Sequence, residues 1–138
     1  SSFAINPVGL TDKCAIYSVK DAKIIIGNHV GISNSLLYAM EKIEIEDHVL
    51  IGGGCQILDN DFHPLEYDHR ISNNNVHIRK KAIKIKEGAF IGASSIILKG
   101  VTVGRRSLVG AGSVVTKDIP DFEIWAGNPA VFVKKIPH

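Results

Sequence analysis

The stretch from Ile85 to Pro120 reads IKEGAFIGASSIILKGVTVGRRSLVGAGSVVTKDIP, with a branched aliphatic residue at every sixth position: Ile85, Ile91, Ile97, Val103, Val109 and Val115. A helix repeats its apolar face about every 3.6 residues and a strand every 2. A period of six is therefore a strand period interrupted by a corner, which calls for short strands joined by tight turns. The fourth residue after each aliphatic agrees, since Ala89, Ser95, Val101, Ser107 and Ser113 are all small enough for a crowded bend. Glycine follows the aliphatic at Gly92, Gly104 and Gly110, where a chain turns without a Cβ. Hexads repeated in this way predict an all-β parallel β-helix whose stacked coils bury a continuous aliphatic column.

The rest of the chain fits that expectation. Its 138 residues amount to one domain by length, residues 1–138, and 45% hydrophobic content is ordinary for a packed core. Aromatics at 7% and 13 glycines suit a narrow column of Ile and Val with small corners. With 16 basic and 14 acidic residues the net charge of +2 is too small to imply nucleic-acid binding. No apolar run approaches membrane-spanning length, and SSFAINPVGL lacks the basic-then-apolar order of a signal peptide. Cys14 and Cys55 form neither a spaced metal motif nor a disulfide framework, so a reducing cytoplasm is expected. Cys55 falls four residues after Ile51, at a small corner position, and is expected to pack rather than react.

Taken in order, residues 1–23 read as an N-terminal cap, with an irregular first coil from Ala15 to Ile26, and residues 24–120 as hexapeptide coils. Ile26 and Ile32 carry the hexad, and Ile45, Ile51 and Ile57 resume it one residue out of phase. The extra residue is expected as a bulge between Ser33 and Ile43. After Leu58 the repeat stops until Ile85, leaving a 26-residue excursion at 59–84. Loops of that length are uncommon and usually functional. This one holds His63, His69 and His77, the acids Asp59, Asp61, Glu66 and Asp68, and a basic close at Arg79, Lys80, Lys81 and Lys84. Pro120 removes a backbone donor and is expected to end the ladder. Residues 121–138 then turn at Gly127 and Pro129 and fold back along the column as a strand or short helix.

At this point the motifs resemble a known family. Ile51-Gly52 through His63-Pro64, with Asp59-Asn60-Asp61-Phe62-His63 inside it, then Ile91-Gly92-Ala93, Val109-Gly110-Ala111-Gly112-Ser113-Val114-Val115, Thr116-Lys117-Asp118-Ile119-Pro120 and Ala126-Gly127-Asn128-Pro129-Ala130, are similar to the hexapeptide-repeat O-acetyltransferases. The likeness is strongest to the maltose/galactoside acetyltransferase branch and its capsule and exopolysaccharide members, and covers roughly residues 24–136. It implies a left-handed β-helix, an exception to right-handed crossovers. It also implies a homotrimer with active sites between neighbouring columns, and acetyl-CoA lying along the coils.

The resemblance assigns roles residue by residue. His63 stands where the family has its catalytic histidine, and an imidazole titrating near neutrality suits removal of an alcohol proton during attack on a thioester. Asp61 or Asp59 would orient it; Asp61, two residues away in an extended segment, shares its face. The backbone of Gly92 and Ala93 is expected to face the thioester and its oxyanion, and Ala111 to touch pantetheine. Thr116, Lys117 and Lys134 lie where the family binds CoA, whereas Val131 occupies a place that often holds Arg. Ser33 or Asn34 would meet the saccharide acceptor, and Phe90 would wall the acetyl pocket.

The expected reaction is direct transfer of acetyl to a saccharide hydroxyl in a ternary complex. Rival readings on the same scaffold are N-acetylation of an amino-sugar nucleotide, a non-catalytic β-helix scaffold, and a trimeric zinc hydratase. For the last, the irregular spacing of His63, His69, His77 and the acids fits no closed ligand motif, so no metal is expected.

Overall fold

The computed structural model describes residues 2–4, 10–11, 14–72 and 75–137. The chain winds as a left-handed β-helix, each full coil laying down three short strands. The first coil holds β1 (Ser2–Ala4), β2 (Leu10–Thr11) and β3 (Ala15–Ser18). The second holds β4 (Lys23–Ile26), β5 (Gly31–Ser33) and β6 (Leu36–Ala39), and the third β7 (Lys42–Ile45), β8 (Leu50–Ile51) and β9 (Gln56–Leu58). After the excursion come β10 (Ile83–Ile85), β11 (Phe90–Ile91) and β12 (Ile96–Ile97), then β13 (Thr102–Val103), β14 (Leu108–Val109) and β15 (Val114–Val115). The chain closes with β16 (Glu123–Gly127) and β17 (Ala130–Lys135).

Stacking the coils makes three faces. Sheet A runs β1-β4-β7-β10-β13, sheet B β2-β5-β8-β11-β14-β16-β17, and sheet C β3-β6-β9-β12-β15. Among the described residues every pairing between these strands is parallel except the terminal β16–β17 hairpin. The register places like on like: Ile32, Ile51, Ile91 and Val109 on sheet B, Leu37, Ile57, Ile97 and Val115 on sheet C, and Ile45, Ile85 and Val103 on sheet A. All are buried. Because a strand alternates its side chains, each two-residue strand from β8 onward points one aliphatic inward, and the longer β4, β7 and β10 point two, Ile24 and Ile26, Ile43 and Ile45, and Ile83 and Ile85. Each such side chain contributes about 1.5–3 kcal/mol by leaving water. The six-residue period is thus one face plus one corner of a triangular prism.

Four expectations need correction. The phase shift is not one inserted residue: Ile32 to Leu37 is five positions and Leu37 to Ile45 is eight. The turn at Asn34 is one residue short and adopts φ 38°, while Met40 and Glu41 lengthen the next corner. The first coil does not begin irregularly at Ala15, because β1 and β2 precede it and pair with β4 and β5. Pro120 does not end the ladder: Ile119 bridges Val103 and β16 extends sheet B beyond it. The ladder closes instead where β17 turns back antiparallel after the cis Asn128–Pro129 bond, so the tail is a strand.

The fourth correction concerns glycine. Gly92, Gly104 and Gly110 do not adopt positive φ; the left-handed positions are others, among them Gly54, Ser94 and Gly112. What excludes a Cβ at Gly92 is the next coil, since a Cβ there would lie 2.6 Å from the backbone nitrogen of Ala111. Glycine at this position is a consequence of coil stacking.

Candidate active site

At the corner between sheets B and C, four superposed turns lie wholly within the described residues. Their inward corner residues are Ser35, Cys55, Ser95 and Ser113, all buried. They form a polar spine. Ser35 Oγ donates to the carbonyls of Ser33 and Gly52 and accepts the N–H of Cys55, and the Cys55 thiol donates to Gly92 O at 3.2 Å. Ser95 and Ser113 both donate to Gly110 O, and Ser113 accepts the N–H of Gly127. These bonds fix the backbone of the turns from behind.

In front of the spine the backbone is open. Ala93 and Ala111 are exposed, and among the described residues neither N–H meets an acceptor, although the amides of Gly92 and Gly110 beside them are spent on the ladder. A fixed amide with no acceptor inside the fold is the donor a developing oxyanion or an amide-bearing chain requires. At the N-terminal end of this corner Asn34, Gly54 and Gln56 line a cleft of about 280 Å³. Gly92, Ala93, Ala111 and Asn34 therefore share one edge of the prism, and Ser33 closes β5 beside it. Phe90 projects from sheet B, 42% exposed.

His63 belongs to the other end of sheet C, at the corner with sheet A, where the excursion leaves. The neck of the excursion is tied to itself: Asp61 N–H donates to Arg79 O, Lys81 N–H to Asp59 O, and Asn60 bridges Lys80. Beyond it lie the helix α1 (Tyr67–Ile71), a 3₁₀ turn (Asn75–His77) and the ring stack of His69 on His77. The Arg79 guanidinium, hydrogen-bonded to Glu66, holds that carboxyl below its usual range.

Asp59 is not an orienting partner of His63 in this structure. It is wholly buried, and its carboxylate accepts the N–H groups of Met40, Glu41 and Lys42 at 2.7–2.8 Å and Asn60 Nδ2 at 3.1 Å. It thereby satisfies the backbone donors of the lengthened second-coil corner. Nor are Asp61 and His63 in an extended segment: Phe62 has φ 63° and the His63 N–H donates to Asp61 O at 2.7 Å. Such an i to i+2 turn about a left-handed residue is strained. It is held by Asn60 Oδ1, which accepts the Phe62 N–H, and by the Phe62 ring on Tyr38. The imidazole of His63 is exposed and makes no hydrogen bond among the described residues.

Thr116 and Lys117 are exposed at the same corner as the excursion, and Lys134 lies on β17 opposite Ile124. One chain thus divides the expected site residues between two edges flanking sheet C. Cys55 is buried, and that burial pushes its thiol up in pKa. Sequence reasoning missed that Asn60 Oδ1 holds the Phe62 N–H and that Lys99 Nζ donates to Asp61 Oδ1 at 2.8 Å, and it missed the continuity of the serine spine. The only trace of the spine was the run of small polar residues at the fourth hexad position.

Residues 82–117 match the family model described as bacterial transferase hexapeptide (six repeats). A hexapeptide-repeat-containing acetyltransferase from Vibrio cholerae, solved with acetyl-CoA, superposes with TM-score 0.78 at 32% identity, over 94% of this chain and 72% of that one. The chain belongs to the hexapeptide-repeat acetyltransferase family. Within this family it is also 39% identical to galactoside O-acetyltransferase of Lactococcus lactis over 94 residues, 68% of this chain but 44% of that protein's length. A mutant of AntD, an N-acyltransferase from Bacillus cereus solved with dTDP and coenzyme A, superposes with TM-score 0.77 at 26% identity, over 99% of this chain and 78% of that one.

Proposed function

We propose that the chain is an acetyl-CoA-dependent O-acetyltransferase acting on a saccharide hydroxyl, with His63 as general base. The observation that carries this reading is the open edge between sheets B and C, where Ala93 and Ala111 present unspent amides one coil apart. The acetyl-CoA of the Vibrio cholerae relative and the saccharide named for the Lactococcus lactis relative support it. Acetyl-CoA would lie along this edge, with Ala93 N–H toward the thioester, Ala111 beside pantetheine and Lys134 toward the phosphates, while Lys117, on the other edge, would reach the phosphates from a neighbouring copy. Asn34, lining the cleft at the end of the edge, would meet the acceptor. His63 takes the hydroxyl proton as oxygen attacks the carbonyl; the negative charge collects on the carbonyl oxygen at Ala93, and CoA thiolate departs and regains the proton.

Because His63 and Ala93 occupy different edges of one prism, the complete site is assembled from two copies, within a trimer. Exposed apolar side chains on the excursion (Leu65, Tyr67, Ile71) and on β17 (Val131, Phe132, Val133) support contact between copies. The two unpaired cysteines suit a reducing cytoplasm.

The test is thiol release from acetyl-CoA against a panel of sugars, amino sugars and sugar nucleotides. Wild type is expected to release thiol with at least one sugar, and His63→Ala to turn over roughly 10²–10⁴-fold more slowly with an unchanged circular dichroism spectrum. A near-normal rate in His63→Ala removes the base assignment, and transfer to amino sugars alone selects N-acetylation. The particle mass should be that of three 15.0 kDa chains; a monomer would contradict the shared site.

A further inference from the structure

Asp61 carries an unfinished contact. Its Oδ1 accepts a hydrogen bond from the ammonium of Lys99 at 2.8 Å, but its Oδ2 is buried and has no hydrogen-bond partner among the described residues. A carboxylate oxygen removed from water without a donor is costly, so the arrangement favours any donor that can reach it. The tight turn about Phe62 ties the backbone N–H of His63 to the carbonyl of Asp61 at 2.7 Å, so the two residues stand at either end of one short turn. Imidazole is a donor on one nitrogen when neutral and leaves the other free to accept a proton.

Lys99 sits at the corner between sheets C and A one coil after the excursion departs, where the amide of the adjoining Gly100 donates to Lys81 O at the excursion's neck. The pair with Asp61 is among the least exposed of the ion pairs between described residues, at 35% and 18% of the two side chains. Through Lys99 the column therefore reaches the residue two before His63.

We propose that Lys99 is a positioning residue for His63, acting through Asp61. By holding Oδ1 it turns Oδ2 toward the imidazole and selects the tautomer protonated on the nitrogen facing Asp61, leaving the other nitrogen as the base. The inference rests on the reading of His63 as general base. Lys99 itself touches no substrate.

The test uses the full chain with ring-¹⁵N-labelled histidine and long-range ¹⁵N–¹H correlation spectra above the imidazole titration. Signals missing from His63→Ala identify the residue. Wild type is expected to show His63 as a single tautomer with two well-separated nitrogen shifts. In Lys99→Met and Asp61→Asn the two shifts should move toward those of a free, mixed-tautomer imidazole, and Lys99→Arg should restore the separation. Thermal melts check that each variant is folded, and Lys99→Gln replaces Lys99→Met if that variant is not. A His63 spectrum unchanged in folded Lys99→Met, or perturbed equally in Lys99→Arg, overturns the proposal. Normal turnover by His63→Ala would instead overturn the catalytic reading and leave the tautomer result standing.

Discussion

Gly92 and Ala111 are stacked so closely that no side chain fits between them: a Cβ on Gly92 would stand 2.6 Å from the Ala111 nitrogen and 2.7 Å from Val109 O. Neither atom belongs to a movable side chain. Gly92→Ala must therefore push neighbouring coils away from each other at the candidate groove. The expected cost is about 1–3 kcal/mol, read by urea unfolding, together with a raised KM for acetyl-CoA. Unchanged stability would mean that the coils are not packed this closely.

Ala111 gives the complementary experiment. Its side chain is exposed, so adding bulk there should not disturb the column. Ala111→Trp should melt near wild type while the KM for acetyl-CoA rises by about tenfold or more, which corresponds to about 1.4 kcal/mol of lost binding. An unaltered KM would place the cofactor elsewhere.

The grip of Asp59 on the Met40–Lys42 backbone predicts a structural phenotype. Asp59→Ala strands three backbone N–H groups at the second-coil corner, and a loss on the order of 3 kcal/mol follows from their desolvation. Denaturant unfolding at neutral pH measures it. Asp61→Ala, whose partner Lys99 can turn to solvent, should cost clearly less.

Burial raises the Cys55 thiol, and this fixes the sign of a pH effect. The folded chain holds that proton to higher pH than the unfolded chain, whose thiol ionises near ~8.5. The contribution is therefore fully present at neutral pH and is lost as pH rises through the folded value. Wild type should lose stability between neutral pH and pH ~10 more steeply than Cys55→Ser, by paired urea midpoints. At neutral pH the serine variant should keep its acetyltransferase rate, because a protonated, enclosed thiol is no nucleophile.

How far the sequence can be read depends on which forces are local. The period from Ile85 to Val115 determines the stacked coils, because burying one aliphatic per face leaves a direct trace at fixed spacing. The break after Leu58 likewise marks the excursion, and the small residues at 95 and 113 mark the corner that holds the serine spine. Asp59 is misread from sequence because two carboxylates near a histidine look alike there. Only the fold shows that one of them faces the amides of Met40 to Lys42, 17–19 residues earlier.

The sequence by itself thus determined the column, its corners and where the pattern fails. The tertiary structure decided what no period encodes: that Asn34 shortens one turn, that β16 continues past Pro120, and that Lys99 meets Asp61 across 38 residues. Burial repeats with the coil and is visible along the chain, whereas a hydrogen bond or ion pair joins whichever residues the winding happens to superpose.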